Sequence, residues 1–284
     1  MPAENQQVNL SFNISGVNTP IEKPVLLVQA GKQGISFIQL DSGSNTFIAV
    51  QVYHFAKHLS DNSIAEEIDS ILNAAHLSQL HFKKIFVTWC FDESIVVPRQ
   101  YFDTAYTKDM LDLVYGDASP AAVQHEMVLS QNLYTVYRVP VAVKNVFNNR
   151  FPFCIQNHQH SLLINLGKGS RDLLYCNFYP NHLTVMLRKN GQLQTIQNFE
   201  FSTPDDVAYH LLNVCRSFEI KAAQITVTLS GMIDADSNLY TELYKYFLNI
   251  GFAGLPGNFN YTEAIIEQPA HYFSHLFATA SCVL

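Results

Sequence analysis

Residues 173–201 read LLYCNFYPNHLTVMLRKNGQLQTIQNFEF, three apolar runs separated by two short polar turns. In the middle run, Leu183, Val185 and Leu187 alternate with other residues, as in a strand that buries one face. Asn190-Gly191 is a strong signal for a tight hairpin turn, because both residue types tolerate positive φ. The stretch therefore predicts three antiparallel strands joined by hairpins.

A capped helix and a buried strand are predicted to follow. Thr203 stands where a helix N-cap belongs, Pro204 suits the first helical position, and Asp206 lies three residues after the cap. The next apolar residues recur at helical spacing and predict one buried face: Val207, Leu211, Leu212 and Cys215. Residues 225–229, ITVTL, are typical of a buried strand. The predicted order is β-β-β-α-β.

The same five elements are predicted about 140 residues earlier in the chain. Residues 26–55 read LLVQAGKQGISFIQLDSGSNTFIAVQVYHF, again three strand-like runs with polar turns. Ser63 and Glu66 have the spacing of a capping box, and Leu72 falls on the apolar face of the helix that follows. Residues 85–89, IFVTW, match the later buried strand. A duplicated β-β-β-α-β unit is an α/β arrangement of two α+β halves with mixed sheets.

The repeat divides the chain into three parts. Residues 1–24 are rich in Asn, Gln and Ser and are predicted to form a tail or an edge strand. The first predicted domain covers residues 25–155 and the second covers residues 156–284. Further predicted elements are helices at 106–115, 141–151, 239–250 and 269–280 and a strand at 133–139. Gly251 is interpreted as the residue that ends the helix at 239–250.

The composition excludes several classes of protein. Hydrophobic residues make up 48% of the 284 and charged residues 14%, which is typical of a folded globular chain. The net charge of −7 and the scattered basic residues argue against a nucleic-acid partner. No apolar run reaches the ~20 residues of a membrane span. Five scattered cysteines indicate free thiols in a reducing compartment, so a cytoplasmic protein without a membrane span is predicted.

Six segments resemble stretches of one known family: Gly34–Phe37, Val96–Phe102, Tyr137–Pro140, Asn198–Phe201, Asp205–Leu212 and Leu229–Gly231. That family is of unknown function, comes from Bacteroides-group bacteria and has an actin-like ATPase fold. More distantly, the arrangement is similar to the actin-fold proteins of pilus assembly and type II secretion. The resemblance implies an actin-like ATPase, ribonuclease H-like fold with a cleft between two domains. It implies no known reaction.

In the actin-like superfamily, the first hairpin of each half places an acid and a glycine turn around the nucleotide phosphates. The first hairpin of this chain carries Gln29 near the acid position, followed by Gly31 and Gly34. A neutral amide is a poor ligand for Mg²⁺, since this ion prefers carboxylate oxygens and water. The first phosphate site is therefore predicted to have lost its acid and kept its glycines.

The second hairpin departs further from the superfamily pattern. It carries Asn177 near the acid position, and Tyr179-Pro180 replaces the glycine turn. Such a turn is bulky and lacks one N–H donor. Ser230-Gly231 is what remains of the turn that would meet the adenosine. The residues interpreted as a vestigial nucleotide site are Gln29, Gly31, Gly34, Asn177, Ser230 and Gly231.

Two functions stay open at the level of the sequence. The first is a non-catalytic module that binds an unknown protein partner and takes no cofactor. The 14 Tyr and 20 Phe are compatible with it, because interfaces favour aromatic residues. The second is a divergent ATPase or small-molecule kinase that binds ATP with magnesium. It would use Asp92, Glu93 or Asp41 in place of the missing acids.

Two histidine pairs are interpreted as structural. His158 and His160 have the spacing of one strand face, and His271 and His275 have the spacing of one helix face. A metal ion needs three or four converging ligands, and neither pair has a third. Leu72 and Leu212 are predicted to be buried at equivalent places in the two halves.

Overall fold

A computed structural model of the chain describes residues 8–16, 21–56, 59–75, 81–117, 120–166 and 172–283. The chain forms two compact units. The first contains Met1–Ser161 and Asn258–Glu267, and the second contains Leu162–Gly257 and Gln268–Cys282. The chain passes from the first unit to the second after residue 161, and residues 258–267 return to the first unit.

The described residues form a mixture of strands and helices along the chain. The strands are β1 (Val8–Ser15), β2 (Pro24–Gly31), β3 (Gly34–Asp41), β4 (Thr46–Phe55), β5 (Lys84–Cys90), β6 (Ser94–Pro98), β7 (Ala121–Val128), β8 (Leu133–Pro140), β9 (Ile155–His158), β10 (Leu173–Phe178), β11 (His182–Lys189), β12 (Gln192–Glu200), β13 (Thr226–Gly231), β14 (Asn249–Phe252) and β15 (Asn260–Tyr261). The α-helices are α1 (Asp61–Ala74), α2 (Thr107–Tyr115), α3 (Val141–Arg150), α4 (Gln159–Leu166), α5 (Pro204–Ser217), α6 (Asn238–Tyr244), α7 (Glu263–Ile266) and α8 (Ala270–Val283).

The main sheet of the first unit has the order β1-β4-β3-β2-β5-β9, with β15 beside β4. The hairpin strands β2, β3 and β4 are antiparallel, whereas β5 runs parallel to β2 and β9 parallel to β5. Strand β2 is buried along almost its whole length because it lies in the middle of the sheet. Residues from α1 and α3 complete the core, in which Trp89 meets Phe147 edge to face. The leader contributes β1 as the edge strand.

Helix α1 begins two residues before the predicted cap. The Ser60 side chain accepts a hydrogen bond from the Ser63 backbone N–H at 3.2 Å, so Ser60 is the N-cap and Asp61 the first helical residue. The predicted Ser63–Glu66 capping box is therefore wrong. Ser60, three residues earlier, caps the helix instead, and the spacing of polar residues along the sequence does not distinguish Ser60 from Ser63 as the cap.

A small sheet of three described strands, in the order β6-β8-β7, follows β5 within the first unit. Helix α2 packs on it through Leu111, which meets Val97 and Val136 in a separate small core. Strand β8 and helix α2 match predicted elements. Strands β6 and β7 were missed, because β7 is partly exposed along most of its length and shows no clean apolar alternation.

The second unit contains a sheet of five described strands in the order β12-β11-β10-β13-β14. Its antiparallel and parallel pairs repeat those of β4-β3-β2-β5-β9, so the predicted β-β-β-α-β order is confirmed in both units. Asn190 and Gly191 have φ of 53° and 75°, as their hairpin turn requires. The Thr203–Asp206 capping box is present and Pro204 opens α5.

Two predictions for the second unit are wrong. The helix predicted at 239–250 ends at Tyr244, and Gly251 lies inside β14 instead of ending a helix. Strand β14 gains backbone hydrogen bonds with β13, a tertiary pairing that helical periodicity does not report. Leu212 is only partly buried, whereas Leu211 is fully buried on the inner face of α5. Cys215 is the buried residue one turn beyond Leu211 on that face.

Candidate functional site

The first hairpin, β2 to β3, brings Gln29, Gly31 and Gly34 to one end of the main sheet. Gly31 and Gly34 face each other across the hairpin. A Cβ at Gly31 would overlap the carbonyl oxygen of Cys90, and a Cβ at Gly34 would overlap that of Tyr53. The close approach of the neighbouring strands by itself explains why glycine is needed at both positions.

The Gln29 side chain, which holds the position of the expected acid, is buried at this end of the sheet. Its Oε1 lies 3.8 Å from the Cys90 thiol, the long, weak type of hydrogen bond that sulfur donates. The amide therefore carries no charge and points at a thiol of the neighbouring strand.

The second unit places Asn177, Ser230 and Gly231 side by side on adjacent parallel strands. Asn177 pairs with Ser230, and Phe178 pairs with Gly231. Gly231 has a φ of 81°, and a Cβ there would overlap the Phe178 carbonyl oxygen. The same carbonyl accepts the Met232 N–H at 2.9 Å. Glycine is required here both by the backbone conformation and by the close strand.

Helix α8 covers this end of the second sheet. The hydroxyl oxygens of Ser230 and Ser274 are 2.8 Å apart, and the Ser230 hydroxyl also lies 3.2 Å from the carbonyl oxygen of His271. Nδ1 of His275 is 3.5 Å from the same hydroxyl. Burial lowers the pKa of His275 to about 3, so its ring is neutral at physiological pH. Side chains of the same unit therefore fill the space beside Ser230.

A row of polar side chains crosses four adjacent strands of the second sheet at one register level. Asn198 pairs with Thr184, Thr184 pairs with Asn177, and Asn177 pairs with Ser230. Thr184 donates a hydrogen bond of 2.8 Å to Oδ1 of Asn198. The Oδ1 of Asn177 is fully buried and meets no donor among the described residues. Only Asn177 and Ser230 of this row were singled out from the sequence; a polar residue inside an apolar strand is the signal that finds the others.

Asp41 was one of three acids considered as a replacement in a divergent enzyme. Its carboxylate accepts hydrogen bonds from the backbone N–H groups of Lys23 and Gly43 and from the Ser44 hydroxyl, at 2.8, 3.1 and 2.8 Å. Burial acts to raise the pKa of Asp41, but these hydrogen bonds outweigh it and keep the pKa below its ordinary value. The carboxylate is thus occupied in holding the turn between β3 and β4.

The other two acids, Asp92 and Glu93, line a cavity within the first unit. Lys32 and Asp61 line the same cavity, together with Arg138 at the end of β8. The Arg138 guanidinium is buried and lies 2.6 Å from the Glu93 carboxylate. Sequence reasoning missed Lys32, Asp61 and Arg138 here. A lone arginine inside the apolar strand Leu133–Val139 was the available signal for a buried ion pair.

The pair His158 and His160 is buried, but the two residues do not share a strand face. The chain passes from β9 into α4 between them. Nε2 of His158 lies 3.0 Å from the Phe91 carbonyl oxygen, and Nδ1 of His160 lies 2.7 Å from the Ser94 hydroxyl. Burial, aided by the neighbouring His160, lowers the pKa of His158 well below 6.5. Within the part of the chain that the structure describes, no three potential ligands meet around a metal position.

The fold of both units is that of the actin-like ATPases. A crystal structure from Bacteroides thetaiotaomicron, described as a protein with actin-like ATPase fold and unknown function, matches with a TM-score of 0.74 and 15% identity, over 92% of this chain and 96% of that one. A sequence model of the family described as protein of unknown function DUF3822 matches residues 18–250. The chain belongs to that family.

Other solved structures match this chain at low sequence identity. The PilM–PilN type IV pilus biogenesis complex matches with a TM-score of 0.64 and 12% identity, covering 93% of this chain and 100% of that one. The cytoplasmic domain of EpsL, from the type II secretion system of Vibrio cholerae, matches with a TM-score of 0.47 and 11% identity, covering 92% and 95%. No curated protein matches the sequence. No helix of the described residues is long and apolar enough to cross a bilayer.

Proposed function

We propose that this chain is a non-catalytic actin-fold module that binds another protein. The observation that carries the proposal is the filled space beside Ser230, which the Ser274 and His275 side chains of helix α8 occupy. A nucleotide held against this end of the second sheet would have to displace them. Asn177 stands next to Ser230, and its amide is a far weaker magnesium ligand than a carboxylate.

The first unit supports the same proposal independently. Gln29 offers a buried neutral amide where the fold would use an acid. Gly31 and Gly34 are each required by a neighbouring strand, so their presence does not by itself indicate a phosphate. Of the acids that could substitute, Asp41 holds a turn and Glu93 is paired with Arg138.

Exposed apolar side chains on α2 and in the segments that flank the strands of the small sheet support protein binding. Leu113 is 88% exposed, Leu129 79% and Tyr101 68%. A contiguous patch of such side chains would favour a surface that another protein covers. A solved structure of this fold is itself a complex of two proteins, PilM and PilN. We further propose a cytoplasmic location, because the five cysteines, all within the described residues, form no disulfide with one another.

The direct test of the non-catalytic part is calorimetric titration of the full chain with Mg-ATP. We expect no binding up to millimolar nucleotide. Gln29 and Asn177 offer no carboxylate to the metal ion, and side chains of α8 fill the space beside Ser230. A dissociation constant in the low micromolar range would contradict the proposal.

The direct test of the protein-binding part is affinity capture from the cells that produce the protein. The matched variants are Leu113→Glu and Leu248→Glu, since both leucines are largely exposed and lie in different units. We expect a captured protein to be lost from Leu113→Glu and retained by Leu248→Glu. Capture of no protein by the wild-type chain, or equal capture by both variants, would count against this surface.

A divergent ATPase or small-molecule kinase is the second candidate, and one observation favours it. Asp92 and Glu93 line a cavity together with Lys32, so two carboxylates and an ammonium group meet near the end of β5. Tight Mg-ATP binding that is lost on mutation of Gly31 or Gly231, in variants whose circular dichroism is unchanged, would place this candidate first. Asp92→Asn serves as the variant with the least steric change.

A further inference from the structure

The sheet of the second unit ends in an edge strand, β12. Among the described residues, β12 pairs with β11 on one side and with no strand on the other. In the first unit the strand at the equivalent place, β4, lies between β3 and β1, so the leader strand covers its outer edge. Within the described ranges, an added antiparallel strand therefore completes the repeated sheet in the first unit and not in the second.

Strand β12 lacks the residues that usually protect the edge of a sheet. Such edges carry charged side chains or proline, because their backbone N–H and C=O groups otherwise attract another strand. Residues 192–200 contain no proline and no charged residue before Glu200. The irregularity in the pairing with β11 lies near the hairpin turn, between Leu187 and Arg188. Residues 195–200 therefore form a regular edge that a further strand can extend.

A glutamine at the same place in both units indicates what the added strand contacts. From the residue before Gln29, strand pairing leads across β3 to Gln51; from the residue before Asn177, it leads across β11 to Gln197. Nε2 of Gln51 donates a 3.1 Å hydrogen bond to Oδ1 of Asn13 on the covering strand β1. Gln197 is exposed, so its amide can form the same kind of bond with a carboxamide on an added strand.

The sequence of β12 complements itself around Gln197. A two-fold axis at this residue places two copies of β12 antiparallel, with Gln197 opposite Gln197. Its amide donates one N–H to the Thr195 hydroxyl at 2.8 Å, and a second N–H and the Oε1 can meet the opposite amide. Thr195 then faces Phe199 of the second copy, and Ile196 faces Asn198 of the second copy. None of these pairs brings two like charges together.

Aromatic side chains of α5 lie beside this edge. The His210 ring stacks on Phe199 of β12 with ring centroids 4.5 Å apart, and the Tyr209 ring meets the His210 ring edge to face at 5.6 Å. Tyr209 is 66% exposed. Tyrosine is enriched at protein interfaces. The surface beside β12 therefore offers side-chain contacts in addition to backbone hydrogen bonds.

We propose that β12 pairs antiparallel with β12 of a second copy of this chain and joins the two sheets into one across a two-fold axis. The axis keeps both α5 helices on the same face of the joined sheet. Each copy carries a net charge of −7, so contact between copies is favoured at an edge with little charge. This inference goes beyond the proposed function, because β12 lies in the second unit and the Leu113 surface in the first.

Sedimentation velocity of the full chain, at concentrations from about 1 to about 100 μM, measures the association. The chain has a mass of 32.1 kDa, and a species of twice that mass should grow with concentration. Gln197→Lys and Gln197→Glu each place two like charges opposite each other and should raise the dissociation constant at least about tenfold. An equimolar mixture of the two variants should regain wild-type association, because Lys then faces Glu across the axis.

The matched controls are Gln224→Lys and Gln224→Glu, at an exposed glutamine of the same unit outside β12. They carry the same changes of charge and should associate like the wild-type chain, alone and mixed. Circular dichroism melting establishes that all variants are folded.

Three results would overturn the proposal: a wild-type chain that stays monomeric, Gln197 variants that associate like the Gln224 variants, or a Gln197→Lys and Gln197→Glu mixture that stays monomeric. A monomeric wild-type chain whose captured cellular partner is lost from Gln197→Lys would assign the edge to a different protein. The titration with Mg-ATP and the capture by Leu113→Glu do not depend on β12. Failure of the dimer is therefore distinguishable from failure of the proposed function.

Discussion

Lowering the pH from about 7 to about 5 should destabilise the second unit through His275 of helix α8. Burial lowers the pKa of this imidazole to about 3, against an ordinary value of 6.5. The unfolded chain takes up the proton near pH 6.5, whereas the folded chain takes it up only near pH 3. Stability from this group is therefore full above pH 6.5 and is lost progressively as the pH falls towards 3.

The size of the effect follows from the two pKa values. At about pH 5 the unfolded histidine is almost fully charged and the folded one almost fully neutral. The interval of about 1.5 pH units below the unfolded pKa, at about 1.4 kcal/mol per unit, gives a loss of about 2 kcal/mol. At pH 7 the same group contributes almost no pH dependence.

Urea denaturation at the two pH values measures this loss. Far-UV circular dichroism follows the whole chain, and fluorescence of Trp89, the single tryptophan, reports on the first unit separately. Between pH 7 and pH 5 the wild-type chain should lose about 2 kcal/mol more than His275→Asn, which cannot take up a proton. His125→Asn, at an exposed histidine, should behave like the wild-type chain. Equal losses in the wild-type chain and His275→Asn would refute the reasoning.

Three further predictions concern packing, backbone and charge. Truncating Leu72 or Leu211 to Ala should lower the free energy of unfolding in urea by about 2–5 kcal/mol, and truncating the partly buried Leu212 by less than about 2 kcal/mol. A smaller loss at Leu211 than at Leu212 would show that the buried face of α5 is assigned wrongly. Gly231→Ala should cost about 1–3 kcal/mol in thermal denaturation because of its positive φ and the nearby strand, and an unchanged melting temperature would contradict this. Arg138→Met leaves two carboxylates without their cation. It should cost about 3 kcal/mol of unfolding free energy, the low end for a buried pair, because the Glu93 side chain is 41% exposed. A cost below about 1 kcal/mol would show that the ion pair is not stabilising.

Local signals predicted most elements whose formation depends on neighbours in the chain. The Asn190-Gly191 turn, the Thr203 cap and the alternation of Leu183 and Val185 report conformations that their own residues favour. Where two nearby residues could cap the same helix, as Ser60 and Ser63 could for α1, the sequence prediction chose the wrong one. Strand β14 was missed because its stability comes from pairing with β13, a contact that helical periodicity does not encode.

The candidate site was only half accessible to sequence reasoning. That amides stand at positions 29 and 177, where the superfamily would place an acid, is a matter of residue identity, so it was visible in the chain. That α8 fills the space beside Ser230 was not, because Ser230 and Ser274 are 44 residues apart and meet only after folding. The resemblance to an actin-like fold therefore predicted where the candidate site lies. Tertiary packing determined which side chains occupy that space.

The sequence by itself determined the two β-β-β-α-β units, the actin-like fold and the amides at Gln29 and Asn177, since each depends on short patterns or on single residue types. The tertiary structure decided which polar residues are buried, which charges are already paired and where a ligand has room. Asp61, Asp92 and Arg138 come from three different parts of the chain, and no spacing along it brings them to one cavity. Burial and charge pairing are properties of three-dimensional neighbours, and these exist only once the sheets have formed.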